Sequence, residues 1–189
     1  MNIEFTQDTI LGGSIIIKQP KCGYRINSDS VFLAASVPVT RNDHVLDIGA
    51  GTGGISLAIA RRCNKVNISA VENFPLHLRL LSENIALNRL SDQIKVIDSD
   101  INELSNVFSG KKFDHIVTNP PFYDKSSNQL PINLGRRVSL HEGDIALNNW
   151  VSFSSPLLKR GGSLTLIVPT DRYDETVEIL SLYFLTIRA

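Results

Sequence analysis

Short apolar runs alternate with segments of helical period from residue 44 onward, which is the pattern of a parallel sheet covered by helices. The apolar runs predict five strands, at residues 44–48, 66–71, 93–97, 113–118 and, after a turn at Gly161-Gly162, 163–168. Apolar residues three and four positions apart predict helices between and after them, at residues 55–62, 75–88, 147–158 and 171–182. The sequence therefore predicts an α/β fold with a doubly wound, mostly parallel sheet.

The segments outside this alternation are shorter. An apolar run at residues 15–17 and a predicted helix at 29–37 indicate an N-terminal extension, residues 1–40, that forms a lid. We expect this lid to belong to a single domain spanning residues 1–189. At the other end, residues 185–187 have the composition of the start of one more strand.

Composition narrows the class of protein. With 189 residues and 42% apolar content, the chain is long enough for one domain with a substantial core. Basic and acidic residues number 19 each, so any contact with a polyanion must be local. Cys22 and Cys63 lack metal-ligand spacing, which favours reduced thiols. Since no apolar run approaches the roughly 18 residues of a membrane span and the N-terminus has no signal-peptide pattern, we expect a cytoplasmic protein without membrane partners.

A glycine-rich run at residues 47–53, DIGAGTG, ends the first predicted strand, and we call it the glycine loop. Gly49, Gly51 and the following Gly54 also fit the G-x-G-x-x-G pattern, and Glu72 lies about 20 residues beyond, so a nicotinamide dinucleotide is one candidate ligand. Asp47 favours another ligand, because a carboxylate at the end of a buried strand needs a cationic or donor partner and would repel a pyrophosphate. S-adenosylmethionine carries an ammonium group. The loop therefore favours a methyl donor, with Glu72 accepting hydrogen bonds from its ribose.

The second informative run is Asn119-Pro120-Pro121-Phe122, directly after the fourth predicted strand. The Asn119 side-chain oxygen and the Pro120 carbonyl offer two acceptors on a backbone that proline rings hold rigid. Such acceptors can direct the lone pair of a planar NH2 group toward a methyl donor, while Phe122 stacks on the flat substrate. The alternative is a plain turn followed by a core aromatic residue. Together with the glycine loop, this run predicts methyl transfer to nitrogen.

Asp100 has a chemical and a structural interpretation, whereas His115 and Trp150 favour a structural one. Asp100 is a candidate acceptor for an adenine amino group, with Ile101 packed on the ring; the alternative is that Asp100 caps a helix. His115 interrupts an apolar strand, which favours a hydrogen-bonded structural histidine. Trp150 lies on a predicted helix and is expected to be a packing residue.

The loop after the second motif carries a local surplus of positive charge. Lys125, Arg136 and Arg137 are candidates for holding RNA phosphates, and a solvated surface loop is an equal alternative. Tyr123 and His141 are weaker candidates for lining the substrate mouth, because a lone histidine is more often a structural hydrogen-bonding residue.

Several stretches match a known family in type and in order: Leu11-Gly12-Gly13, Gln19-Pro20, Gly23-Tyr24-Arg25, Ser28 to Ala35, the glycine loop, Asn119 to Tyr123, and Gly161-Gly162. On these residues, the chain resembles the bacterial tRNA adenine-N6 methyltransferases that modify valine tRNA beside the anticodon, within the small methyltransferase superfamily. The resemblance covers residues 8–189. The glycine loop is shared by most class I methyltransferases, whereas the stretch at 23–35 is more particular.

The resemblance implies a Rossmann-like class I methyltransferase fold, S-adenosyl-L-methionine as cofactor, no metal, and tRNA as partner. It implies a cofactor pocket formed by Tyr24, Arg25, Asp29, Asp47, Gly49, Gly51, Gly53, Glu72, Asp100, Ile101 and Asn119. The first three would lie at the methionine end of the cofactor, and Asn119 to Phe122 would be the catalytic motif. Family members close the sheet with an antiparallel hairpin beyond the fifth strand. Because the sequence ends at Ala189, we expect the last antiparallel strand to be missing and the chain to be truncated.

Other functions stay open at this point. Glutamine side chains of translation release factors present the same NH2 geometry to enzymes with a related Asn-Pro-Pro-Tyr run, although those enzymes usually carry an extra N-terminal helical domain. Amino-group methyltransferases of rRNA or DNA are a second alternative. A non-catalytic RNA-binding protein with this fold is a third, from a different functional class.

Overall fold

The computed structural model describes residues 3–23, 25–120 and 147–189. The described chain begins with a hairpin of two antiparallel strands, β1 (Phe5–Ile10) and β2 (Ile15–Pro20). Helix α1 (Ser28–Ser36) follows, and the side chain of Asn27 caps its first turn. The helix predicted at residues 29–37 is thus confirmed to within one residue.

The central sheet of the described residues consists of β3 (His44–Ile48), β4 (Asn67–Glu72), β5 (Ile94–Asp98), β6 (Phe113–Thr118) and β7 (Leu158–Leu166). Its strand order is β5-β4-β3-β6-β7, and all neighbouring strands are parallel. The direction of winding reverses between β3 and β6. This is the topological switch point, where open α/β sheets bind ligands.

The helices described around the sheet are α2 (Gly54–Arg62), α3 (Pro75–Leu87), α4 (Leu104–Val107), α5 (Leu147–Ser154) and α6 (Tyr173–Ser181). Helix α5 ends earlier than the predicted residue 158. The chain tightens there into a single 3-10 turn at Ser155–Leu157, because Pro156 has no amide hydrogen to continue the α-helix. Within the described ranges, no helix is both long and apolar enough to cross a membrane.

The central strand β3 is buried on both faces of the sheet, as a doubly wound fold requires. Successive residues of β3 point to opposite faces: Val45 packs with the cluster that contains Ile17 of the hairpin, and Leu46 packs with the cluster that contains Trp150 of α5. Because Ile17 is fully buried, the hairpin is part of the main core. The predicted α/β fold with a parallel sheet is confirmed.

Strand β7 corrects the turn predicted at Gly161-Gly162. The strand already begins at Leu158, and its pairing with β6 shifts register between Phe113 and His115, so both glycines lie inside an irregular strand. A Cβ atom on Gly162 would lie 2.8 Å from the Asp114 carbonyl oxygen. The glycine pair allows this close approach of two backbones at the irregularity, where a turn was expected.

The strand expected at residues 185–187 is not present. In the structure this segment has no strand hydrogen bonds, and the Leu185 side chain is fully exposed. β-propensity alone is insufficient, because a strand forms only where its backbone pairs with a neighbour.

Candidate active site

Four neighbouring strands of the sheet end at one edge, and the predicted site residues lie just beyond these ends. The glycine loop follows β3, Asn73 follows β4, Ser99 to Ile101 follow β5, and Asn119 follows β6. The carboxyl ends of parallel strands share an edge, so residues far apart in sequence converge there.

The glycine loop turns sharply at the end of β3. Gly49, Gly51 and Gly53 have φ angles of 73°, 58° and 98°, in the left-handed region that glycine adopts readily. The amides of Gly49 and Ala50 donate to the Val71 carbonyl oxygen at 3.0 and 2.9 Å. The loop is therefore held against the end of β4.

Trp150 of α5 packs against this loop. A Cβ atom on Gly49 would lie 3.3 Å from Cη2 of the Trp150 ring, so glycine allows the indole to approach closely. Trp150 is 6% exposed, and its Nε1 has no hydrogen-bond partner among the described residues. The packing role predicted for Trp150 is confirmed.

Glu72 ends β4 and organises the backbone around it. Its Oε2 accepts from the Gly51 amide at 2.7 Å, and its Oε1 accepts from the amides of Asn73 and Phe74 at 3.0 and 2.9 Å. Burial acts to raise the pKa of Glu72, but hydrogen bonds, above all with His77, lower it below its ordinary value. Glu72 is therefore an ionised acceptor that fixes the glycine loop. Its contact with a ribose stays a prediction.

Asp47 is completely buried within β3. Its Oδ2 accepts from the Ser56 hydroxyl at 2.6 Å, whereas its Oδ1 has no partner among the described residues. Burial raises the pKa of Asp47 to about 7, and the Glu72 carboxylate adds to the rise. The free oxygen leaves room for one more donor. Asp47 does not line the cleft described below, so its contact with a cofactor stays a prediction.

Asp100 has a capping role, which was the alternative to binding an adenine amino group. Its Oδ1 accepts from the Asn102 amide at 2.9 Å and caps the 3-10 turn Ile101–Glu103. Its Oδ2 accepts from Asn73 Nδ2 at 3.0 Å. Since each carboxylate oxygen has two acceptor sites, capping does not prevent a further contact with an amino group.

These elements line an open cleft with a cavity volume of about 30 Å³. It is lined by Ile48, Gly49, Val71, Glu72, Asn73, Ser99, Asp100, Ile101 and Trp150. The structure thus brings together four predicted residues: Gly49, Glu72, Asp100 and Ile101. Sequence reasoning missed Asn73 and Ser99 as lining residues, although each directly adjoins a predicted one. It also missed that Trp150 lines the cleft, because helical periodicity identifies a buried face and not what lies beyond it.

Asn119 and Pro120 lie at the switch point. Thr118, the last residue of β6, pairs with Ile48 and donates from Oγ1 to its carbonyl oxygen at 2.9 Å. Asn119 and Gly49 are the next residues of these paired strands, so the two motifs start side by side. Asn119 is half-buried and Pro120 is buried. The other members of the motif, Pro121 and Phe122, lie outside the described residues, as do Tyr123, Lys125, Arg136, Arg137 and His141.

The N-terminal candidates lie near the hairpin. The guanidinium of Arg25 donates to Asp8 Oδ2 at 2.9 Å and to the Pro20 carbonyl oxygen at 2.7 Å, so hairpin groups use its donors. Asp29 is half-buried in the first turn of α1, where it accepts from Asn27 Nδ2 at 2.8 Å. Tyr24 lies outside the described residues. A role of these residues at the cofactor stays a prediction.

The cleft residues fit S-adenosylmethionine chemically. Glu72 and Asp100 carry acceptor oxygens of the kind that ribose hydroxyl and adenine amino groups require, and Ile101 offers an apolar surface. The free Asp47 Oδ1 needs a donor, directly or through water, which an ammonium group satisfies.

Two curated relatives are similar to this chain in sequence. A tRNA1(Val) (adenine(37)-N6)-methyltransferase of Trichodesmium erythraeum is 33% identical over 175 residues, which cover 88% of this chain and 71% of the relative. A Porphyromonas gingivalis protein of the same name is 35% identical over 182 residues, covering 91% of this chain and 68% of the relative.

Solved structures share the fold at lower identity. Precorrin-6y C5,15-methyltransferase of Geobacter metallireducens superposes with a TM-score of 0.62 at 15% identity, covering 86% of this chain and 74% of that protein. A family model described as the methyltransferase small domain matches residues 22–184, which is most of the chain. The chain therefore belongs to the methyltransferase small domain family.

Proposed function

We propose that this protein is an S-adenosylmethionine-dependent methyltransferase that methylates N6 of an adenine in tRNA, near the anticodon, in the cytoplasm. One observation carries the proposal: Gly49 of the glycine loop and Asn119 of the second motif lie side by side, directly after the paired residues Ile48 and Thr118. A donor site and an acceptor site at the ends of adjacent strands are the arrangement that direct methyl transfer requires. The names of the relatives from Trichodesmium and Porphyromonas support tRNA adenine as the acceptor.

The cleft residues have defined tasks toward the donor. Glu72 accepts from the ribose hydroxyls while it holds the Gly51 amide, and Asp100 accepts from the adenine amino group beside Ile101. The Asp47 carboxylate, buried in the sheet, balances the positive charge of the ammonium group of S-adenosylmethionine. When bound, S-adenosylmethionine supplies a methyl group on a positively charged sulfur.

Asn119 and Pro120 act on the acceptor. An exocyclic NH2 is a weak nucleophile because its lone pair is delocalised into the ring. The Asn119 side-chain oxygen and the Pro120 carbonyl oxygen each accept one N–H, which directs the lone pair at the methyl carbon. As the new N–C bond forms, the C–S bond breaks, and the cationic nitrogen releases a proton to water. A strong general base is not needed, since the methylated nitrogen is acidic.

The test is a methyl-transfer assay with total tRNA from a strain that lacks this modification. We expect purified protein and labelled S-adenosylmethionine to place label in tRNA, and mass analysis of nucleosides to identify N6-methyladenosine. Asn119→Ala should abolish transfer while S-adenosylhomocysteine still binds, because Asn119 acts on the acceptor. Asn67→Ala is the matched control at the opposite edge of the sheet and should keep activity.

Three results would contradict the proposal. Label in a release factor would identify a glutamine methyltransferase. Donor binding without transfer to any acceptor would indicate a binding protein. An active Asn119→Ala variant would contradict the role of Asn119.

A further inference from the structure

Two asparagine side chains, Asn84 of α3 and Asn88 directly after its end, pair with the outer edge of hairpin strand β2. Asn88 Oδ1 accepts from the Ile16 amide at 2.9 Å, and its Nδ2 donates to the Ile16 carbonyl oxygen at 2.6 Å. One helical turn earlier, Asn84 Oδ1 accepts from the Lys18 amide at 2.7 Å, and its Nδ2 donates to the Lys18 carbonyl oxygen at 2.9 Å. A carboxamide offers the same donor and acceptor as a peptide group. The helix thus supplies what a third strand would supply to the hairpin.

Asn84 also reaches the glycine loop. The second hydrogen of its Nδ2 points to the Thr52 carbonyl oxygen at 2.9 Å. Asn84 has no exposed surface, so each of these bonds forms without competition from water. Asn88 makes no such contact; its additional bond goes to the Asn84 carbonyl oxygen within α3. Asn84 is therefore the residue at which the hairpin, α3 and the glycine loop meet.

The hairpin also influences the start of α2, directly after the glycine loop, through the segment that precedes α1. Gln19 Oε1 accepts from the Ile26 amide at 3.0 Å, so β2 fixes the segment that leads to α1. Ile26 then covers the start of α2: a Cβ atom on Gly54 would lie 2.7 Å from Ile26 Cδ1. The hairpin therefore positions two residues that contact residues 52–54: Asn84, which bonds to Thr52, and Ile26, which covers Gly54.

We propose that Asn84 is a positioning residue for methyl-donor binding, which ties the docked hairpin to the glycine loop so that docking and donor binding favour each other. The identity of the ligand rests on the proposed function; the coupling rests on the hydrogen bonds of Asn84. Such coupling is reciprocal. If docking of the hairpin strengthens binding of the methyl donor by some factor, binding of the methyl donor must stabilise the docked hairpin by the same factor.

Asn84→Asp and Asn88→Asp form a matched pair for testing this. Each substitution replaces a side-chain NH2 group by a carboxylate oxygen that faces carbonyl oxygens. Both substitutions disturb the same hairpin, but only Asn84 contacts the glycine loop. Calorimetric titration of the full chain with S-adenosylhomocysteine should show roughly tenfold weaker binding for Asn84→Asp and less than about threefold for Asn88→Asp. Thermal unfolding of both variants, measured in parallel, should show similar losses of stability. A role in stability alone would weaken binding equally in both, and that result, or wild-type affinity in Asn84→Asp, would overturn the inference.

A measurement on the wild-type protein tests the same coupling and does not require that any variant folds. Hydrogen exchange of the Lys18 amide reports the bond to Asn84, and the Asn67 amide, bonded to the Asp43 carbonyl oxygen, reports the far edge of the sheet. Saturating S-adenosylhomocysteine should slow exchange at Lys18 by a larger factor than at Asn67. Equal factors at both amides would contradict the coupling. Wild-type protein that fails to bind S-adenosylhomocysteine would contradict the proposed function itself, whereas normal binding without the Lys18 effect would contradict this inference alone.

Discussion

At the scale of single residues, Asp47 has the least favourable position for a charge. It is buried among β-strands, and one of its oxygens has no partner in the described structure. Its pKa of about 7 in the folded protein lies far above the ordinary value of 3.8. The folded state therefore holds this proton more tightly than the unfolded chain does, and deprotonation favours unfolding.

We expect Asp47 to lower the free energy of unfolding as pH rises from about 4 to about 7, by a total on the order of 4 kcal/mol. The stability that protonated Asp47 contributes is fully present below its pKa in the unfolded chain and is lost as pH rises through its pKa in the folded protein. Asp47→Asn removes this group, so its stability should exceed that of the wild type increasingly toward pH 7 and by a constant amount above it. Urea unfolding of both proteins at several pH values measures the difference. A difference that does not vary with pH would contradict the expectation.

Gly53 and Gly110 allow a controlled test of crowding at the glycine loop. Both have positive φ, but a Cβ atom on Gly53 would lie 2.7 Å from Leu81 Cδ1, whereas nothing lies within 4 Å of one on Gly110. Gly110→Ala should cost about 1–2 kcal/mol of stability for its backbone alone. Gly53→Ala should cost about 1–3 kcal/mol more because it overpacks the core, and it should also weaken S-adenosylhomocysteine binding. Equal unfolding midpoints would show that Leu81 yields without cost.

At the scale of elements, His115 links three segments at the end of the sheet away from the cleft. Its Nδ1 lies 2.8 Å from the Ser163 hydroxyl of β7, and its Nε2 lies 3.3 Å from Asp43 Oδ2, just before β3. The structural histidine that the sequence favoured is confirmed. Its partners come from distant parts of the chain, which no local pattern identifies.

His115→Leu should therefore lower the stability of the folded protein by about 1–3 kcal/mol, because it removes the hydrogen bonds of the imidazole to two half-buried partners, Ser163 and Asp43. Donor affinity should not change, since His115 lies at the amino-terminal part of β6 and Asn119 follows the other end. Ser163→Ala removes one of the two contacts and should cost less. Denaturant unfolding and calorimetric titration measure the two effects separately, and a loss of donor affinity would contradict the assignment.

Sequence patterns predicted those elements best whose residues are buried on both faces. Strand β6 was predicted at residues 113–118 and lies there; its second half, Ile116 to Thr118, is buried between the two layers of helices. Strand β5 begins one residue later than predicted, and β7 five residues earlier. The irregular pairing of β7 with β6 depends on a tertiary contact at Gly162, which composition does not encode.

At the scale of the whole molecule, the sheet topology decides which predicted residues meet. Glu72 and Asp100 could be assigned to one cleft from sequence, because parallel strands present their carboxyl ends at a common edge. Asn84 and Asn88 could not, because polar residues on a helix are usually solvated, and their bonding to the hairpin follows only from how α3 packs. The sequence thus predicted the strand-end chemistry and missed the contacts that hold the N-terminal extension in place.

The position of Trp150 makes its fluorescence a reporter of the cleft. It is the only tryptophan in the sequence, and its indole lies against Gly49 at the wall of the cleft. Intrinsic fluorescence excited at the indole therefore comes from a single reporter beside the proposed donor site. Titration with S-adenosylhomocysteine should change its emission in a saturable way, Trp150→Phe should abolish the signal, and emission that stays constant while calorimetry detects binding would place the ligand away from this wall.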